Sequence, residues 1–281
     1  MRASLIQIDV DEDESVEARR QRAVSLVQDA AALGSDLVVL PELWTCGAFA
    51  YEAFDTESEP LRGRTCEVMA KAASDAGVWL HAGSIPELGP ADPGAAGSGT
   101  AGSGTGETLY NTSLVFTPTG ELAASYRKIH RFGFDKGEAT LMGAGSELVT
   151  LPLAETTVGI ATCYDLRFPE MFRGLVDEGA QVLVIPAGWP ERRRAHWTLL
   201  AQARAVENQA YVLACGTAGT HAGVPQAGHS IAVDPWGEVL AEAGPGEEIL
   251  TVDLDPAKVG ETRERFPVLK DRVLGLTPPR R

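Results

Sequence analysis

Residues 158–170 read Val-Gly-Ile-Ala-Thr-Cys-Tyr-Asp-Leu-Arg-Phe-Pro-Glu. An apolar run through Val158, Ile160 and Ala161 breaks at Thr162-Cys163, and Pro169 stands where the first turn of a helix begins, a position that suits its fixed φ and missing N–H. Strand, sharp turn and helix together expose a side chain at the carboxyl end of a sheet. Here that side chain is Cys163. A lone free cysteine is more often a small buried hydrophobe than a nucleophile, so its meaning depends on what the chain places beside it.

On either side the pattern is one of alternating strands and helices. Residues 4–10 alternate Leu5, Gln7 and Asp9 with Ile6, Ile8 and Val10, a first strand. Residues 14–33 form a helix with Val16, Ala23, Val27 and Ala30 on one face, stopped by Gly34. Leu37-Val38-Val39-Leu40 is a continuous apolar run, as expected of a strand buried on both faces, and it ends on Pro41-Glu42. A helix over 64–76 and a strand over 78–85 follow. Strands over 112–116 and 122–126 flank the turn Thr117-Pro118-Thr119-Gly120, and the second runs into Arg127-Lys128-Ile129-His130. Beyond Cys163, strands over 181–185 and 211–215 enclose a helix over 194–209. A hairpin turns at Asp234-Pro235-Trp236-Gly237, and a last strand, a helix near Pro256 and a basic tail close the chain. These elements predict an α/β fold of mixed sheets with helices outside, in one domain spanning 1–281.

Residues 89–108 are rich in Gly, Ala and Ser and read as a surface insertion. Gly97, Gly99 and Gly102 match the dinucleotide fingerprint by letter, but no helical pattern follows to receive a pyrophosphate, so the match is compositional.

The chain has 281 residues and a net charge of −15, which argues against nucleic-acid and anionic-membrane partners. The short cluster Arg192-Arg193-Arg194 reads as a solvated helix start. Cys46, Cys66, Cys163 and Cys215 are widely spaced, so neither a zinc site nor a disulfide framework is expected, and no other cofactor is implied. With no secretory or membrane-spanning pattern, a reducing cytoplasm is the expected location. On that ground the sequon Asn111-Thr112-Ser113 carries no glycan.

Three strands end on reactive residues: Glu42, Lys128 and Cys163. A thiol of ordinary pKa about 8.5 needs a base or a nearby cation at neutral pH. Glu42 can take its proton and Lys128 can supply positive charge. Attack on a carbonyl creates an oxyanion, which an ammonium and the backbone N–H of Tyr164 can hold. Histidine is the alternative base, and His130 and His196 are its two candidates.

Pro41-Glu42-Leu43, Tyr126-Arg127-Lys128-Ile129-His130 and the block from Gly159 to Glu170 resemble, in this order, the three signature blocks of the nitrilase superfamily of carbon–nitrogen hydrolases. His196-Trp197, Arg204-Ala205-Val206-Glu207-Asn208, Gly228-His229-Ser230 and Asp234-Pro235-Trp236-Gly237 are also similar to that family. The resemblance implies a four-layer α-β-β-α sandwich that pairs into a homodimer. It further implies Cys163 as nucleophile, Glu42 as general base and acid, Lys128 as oxyanion stabiliser, and Glu138 as a supporting second glutamate. Cys-Tyr-Asp-Leu-Arg-Phe resembles the ω-amidase branch, whose substrates are small amides bearing a carboxylate. Arg127, Arg131 and Arg167 are the candidate partners for that carboxylate, and Trp189 a candidate pocket wall. N-carbamoyl amino-acid hydrolysis and nitrile hydrolysis would use the same three residues.

Overall fold

In the computed structural model, which describes residues 1–91 and 107–274, two six-stranded mixed sheets carry the chain. The first contains β1 (Arg2–Gln7), β2 (Leu37–Val39), β3 (Trp79–Pro90), β4 (Glu107–Phe116), β5 (Leu122–Arg127) and β14 (Glu248–Asp253), in the order β14-β1-β2-β3-β4-β5. The second contains β6 (Val149–Leu153), β7 (Thr156–Ile160), β8 (Val182–Ala187), β9 (Tyr211–Gly216), β12 (Ile231–Val233) and β13 (Val239–Glu242), in the order β13-β12-β9-β8-β7-β6. A two-stranded ribbon, β10 (Thr220–His221) with β11 (Val224–Pro225), lies apart. Each sheet has a parallel centre, β1-β2-β3 in one and β7-β8-β9 in the other. Antiparallel strands flank both centres.

Alternation along the central strands divides their side chains between two cores. Leu5, Leu37 and Val39 join Val182, Val184 and Leu213 between the sheets. Ile6, Val38 and Leu80 face outward against Ala23, Val27 and Ala30 of α1 (Val16–Ala32). The short helix α2 (Ala53–Thr56) follows, and Met69, Ala72 and Ala73 of α3 (Arg64–Ala76) complete that outer core. A one-turn helix, α4 (Glu138–Leu141), comes next in the chain. On the other side α5 (Pro169–Asp177) and α6 (Arg194–Asn208) cover the second sheet with Phe172, Leu175, Trp197 and Ala201. The last helix is α7 (Ala257–Arg265). The result is the expected four layers, α-β-β-α. Among the described residues no helix is long and apolar enough to cross a membrane.

Burial on both faces changes the meaning of the first strand. Its polar members are inside and are satisfied there: Gln7 donates to the Gly244 carbonyl at 2.7 Å and accepts from the Ser230 N–H at 2.7 Å. Two boundaries also move. β3 continues to Pro90 and β4 begins at Glu107, so the arms of this hairpin run into the stretch expected to be an insertion over 89–108. Their pairing extends to Pro90 opposite Glu107, and Leu109 packs with Phe49 and Phe54. The glycine fingerprint from Gly97 to Gly102, and the end of the basic tail, lie outside the described residues.

Gly83 shows how tightly the sheet holds the loop that follows β2. Its φ is +65°, and a Cβ there would stand 1.9 Å from the Pro41 carbonyl oxygen and 2.9 Å from the Trp44 ring. Neither backbone nor indole can yield without moving Glu42. Gly83→Ala is therefore expected to destabilise the fold by about 2–4 kcal/mol, read as a lower urea midpoint with an unchanged slope.

Candidate active site

The loop after β2 turns sharply through Pro41, Glu42 and Leu43. Leu43 has φ +45°, and its N–H is tied to Ser84 Oγ at 3.0 Å. This turn sends the Glu42 carboxylate toward the second sheet. Glu42 Oε2 accepts the Gly188 N–H at 2.8 Å, just past β8. Its Oε1 accepts from Lys128 Nζ at 2.6 Å and Asn111 Nδ2 at 2.8 Å.

Lys128 follows β5 directly, with its N–H on the Asn111 carbonyl at 2.9 Å. Its ammonium bridges two carboxylates, donating to Glu42 Oε1 and to Glu138 Oε2 at 2.6 Å each. Glu138, first residue of α4, also accepts from Asn111 Nδ2 at 2.6 Å and the Phe132 N–H at 2.9 Å. Asn111, from the middle of β4, thus clamps both glutamates.

Cys163 comes from the other sheet. After β7 the chain makes a 3-10 turn, Cys163–Arg167, before α5 begins, so the expected strand–turn–helix has an extra helical turn in it. Asp165 anchors that turn, accepting from the Thr162 N–H at 2.8 Å, the His130 N–H at 3.0 Å and Tyr126 Oη at 2.7 Å. Cys163 has φ +47°, a region costly for a residue with a side chain and typical of strained functional positions. Its Sγ lies 3.7 Å from the Gly188 carbonyl oxygen. The Tyr164 N–H belongs to the first turn, where amides have no acceptor within the helix.

Glu42, Lys128, Glu138 and Cys163 are all buried. Burial alone would lower the Lys128 pKa, but Glu138 and Glu42 outweigh it and hold the ammonium well above its ordinary value. Burial raises the Glu138 pKa against the opposing pull of Lys128. Burial, and then the Glu42 charge, push the Cys163 thiol well above the usual range despite Lys128. At rest the cysteine is a neutral thiol.

These groups form the floor of a cleft walled by Phe49, Tyr51, Phe132, Tyr164 and Trp189. Arg167 and Arg193 stand among its lining residues, and Arg167 lies over the Trp189 ring at 4.8 Å. Of the three arginines expected to meet a carboxylate, only Arg167 lines this cleft. Arg127 is held by Glu87 at 2.7 and 3.0 Å and lies over the Tyr110 ring. Arg131 donates to the Met142 carbonyl at 2.7 Å. His130 is bonded to Asp165 at 2.7 Å and stacked on Phe168, and does not line the cleft. His196 sits beside Arg167, with its Nδ1 at 3.4 Å. Among the described residues no group of three or more His, Cys, Asp or Glu side chains converges as a metal site.

Three contributors have no clear sequence signal. Asn111 read as a sequon, yet it is buried between two glutamates. Gly188 contributes only backbone atoms. The arginine cluster 192–194 read as a solvated helix start, but Arg193 reaches into the cleft. The short 3-10 turn Glu191–Arg193 ahead of α6 gives it a direction that a regular helix start would not.

The family model described as carbon-nitrogen hydrolase matches residues 2–264. A 2-oxoglutaramate amidase of Paenarthrobacter nicotinovorans is 40% identical over 95% of this chain and 87% of that protein. The omega-amidase NIT2 of Mus musculus is 36% identical over 96% of this chain and 94% of that protein. Among solved structures, Nit3 of Saccharomyces cerevisiae, a member of branch 10 of the nitrilase superfamily, superposes with a TM-score of 0.82. It is 31% identical, over 95% of this chain and 94% of that one. With two facing sheets in four layers and a family match over nearly its whole length, this chain belongs to the carbon–nitrogen hydrolase family.

Proposed function

We propose that this amidase hydrolyses a small amide that carries a carboxylate, giving the acid and ammonia through a cysteine thioester. The observation that carries the reading is the Lys128 ammonium, bridged to Glu42 and Glu138 at 2.6 Å beside a thiol on a strained turn. The ω-amide preference is supported by the names of the relatives and by Arg167 at the rim of the cleft.

In this scheme Glu42 removes the Cys163 proton as the sulfur attacks the amide carbon. The carbonyl oxygen takes the negative charge, and Lys128 with the Tyr164 N–H stabilises it, each such donor contributing on the order of 3 kcal/mol. Glu42 then passes its proton to the departing nitrogen, and ammonia leaves. Water attacks the thioester with Glu42 again as base, the acid is released, and the sulfur recovers its proton. Glu138 and Asn111 keep Lys128 and Glu42 in position. The whole chain works as one catalytic domain, a reading supported by β14, which returns to pair with β1. A cytoplasmic homodimer suits four free thiols and the exposed Leu199 and Val206 on α6.

Ammonia release across ω-amides, N-carbamoyl acids and nitriles is expected to be fastest with succinamate-type amides, without carbon dioxide. Cys163→Ala and Glu42→Gln each lower it by roughly 100- to 10,000-fold. Persistent turnover in Cys163→Ala overturns the scheme.

The charge states give a second test. The Cys163 thiolate forms only as the pH rises through its raised pKa. Glu42→Gln removes a neighbouring negative charge, so the thiolate is expected at lower pH even as turnover falls. Thiolate absorbance, taken as the difference from Cys163→Ala, checks this; an unchanged midpoint contradicts it.

A further inference from the structure

The rim of the cleft holds two arginines that no carboxylate among the described residues neutralises. Arg167 is held by a ring and an imidazole, over Trp189 at 4.8 Å and beside His196 Nδ1 at 3.4 Å. Arg193 lies over the Phe132 ring at 5.3 Å, and its buried Nη1 has no hydrogen-bond partner. Among the described residues neither forms an ion pair with Asp or Glu, in a chain carrying 39 acidic residues against 24 basic ones. An unpartnered donor on a charged group is costly when buried. Its backbone is nevertheless pinned: the Arg193 N–H donates to the Pro190 carbonyl at 2.9 Å, and the Arg193 carbonyl accepts from Trp189 Nε1 at 2.9 Å. Burial, and then repulsion from Arg192 and Arg167, lower its pKa, a sign that an anion would relieve the pair.

We infer that Arg193 is a specificity-determining residue that binds the substrate's carboxylate, with Arg167 as the second donor. This rests on the amide-hydrolysis reading above and adds to it the residue that selects an anionic substrate. A carboxylate placed between the two guanidinium groups accepts from the orphaned Nη1, while the amide end reaches Cys163 on the cleft floor. A neutral amide of the same length leaves that donor unpaired. Selection therefore comes from a penalty on the wrong substrate as well as attraction for the right one.

The test compares succinamate with butyramide, in which a methyl replaces the carboxylate, on the full chain. In Arg193→Leu the ratio of kcat/KM for succinamate over butyramide is expected to fall about 30-fold, chiefly through the KM for succinamate. Arg193→Lys restores part of the ratio by returning the charge. Calorimetry on a Cys163→Ala background should show a matching loss of succinamate affinity when Arg193→Leu is added. Equal losses on both amides, or an unchanged ratio, would mean that Arg193 only supports its loop, and overturn the inference. If the wild type hydrolyses neither amide, the functional reading above fails by itself. The calorimetric comparison still decides Arg193: unchanged affinity overturns its role, and reduced affinity upholds it.

Discussion

The buried ammonium of Lys128 is the interaction on which the site depends. It sits between two carboxylates with almost no solvent access, its side chain 1% exposed and that of Glu42 2% exposed. Taking three charges out of water costs several kcal/mol each, recovered only where geometry and additional hydrogen bonds are good. Asn111, Gly188 and Phe132 supply those additional bonds, so the cluster is supported from three separate parts of the chain. Removing Lys128 would leave two buried carboxylates uncompensated, at a cost of about 3–5 kcal/mol. Local stability and the proposed catalysis are thus coupled at Lys128.

That constraint explains the use of two facing sheets. Glu42, Asn111 and Lys128 come from the first sheet and its loops, Cys163 and Gly188 from the second. Neither sheet alone holds both Glu42 and Cys163. The Gly188 N–H on Glu42 and its carbonyl near Cys163 Sγ join the two halves through one residue. The turns at Leu43 and Cys163 adopt positive φ to aim their side chains across the gap, at roughly 1–3 kcal/mol each. The packed core between the sheets, and carbonyl contacts such as that at Gly83, keep these turns from relaxing.

The sequence displayed this site unevenly, for physical reasons. Glu42, Lys128 and Cys163 were legible because each ends an apolar strand, where a charged or nucleophilic residue stands out. The layers were legible because runs such as Leu37-Val38-Val39-Leu40 need cover on both faces. Asn111 was hidden because an amide in the middle of a strand looks like any polar residue until its two partners, Glu42 and Glu138, arrive from elsewhere in the chain. Arg127 and Arg193 could not be told apart by sequence distance from the motifs. The first is neutralised by Glu87 on β3, two strands away, while a short 3-10 turn brings the second into the cleft. The extent of β3 and β4 was masked because glycine and proline mark a turn without showing how far the paired arms reach.

The raised thiol pKa follows from this arrangement and shapes the chemistry. With both carboxylates ionised beside the ammonium, as the proposed scheme has them, the floor of the cleft carries one net negative charge while Cys163 is neutral. A resting thiolate would bring that to two in a medium that solvates charge poorly. In the proposed scheme the Cys163 proton moves to Glu42 during attack, and the carboxylate is neutralised as the oxyanion forms. The net charge stays at minus one, and only its location changes. The fixed dipoles and the Lys128 ammonium then need little reorganisation during the reaction, the condition under which electrostatic stabilisation is most effective. A neutral thiol activated only as an amide carbon arrives also reacts little with stray electrophiles. In the proposed scheme, burial and the two carboxylates together hold Cys163 protonated until the substrate provides an oxygen to carry the displaced charge.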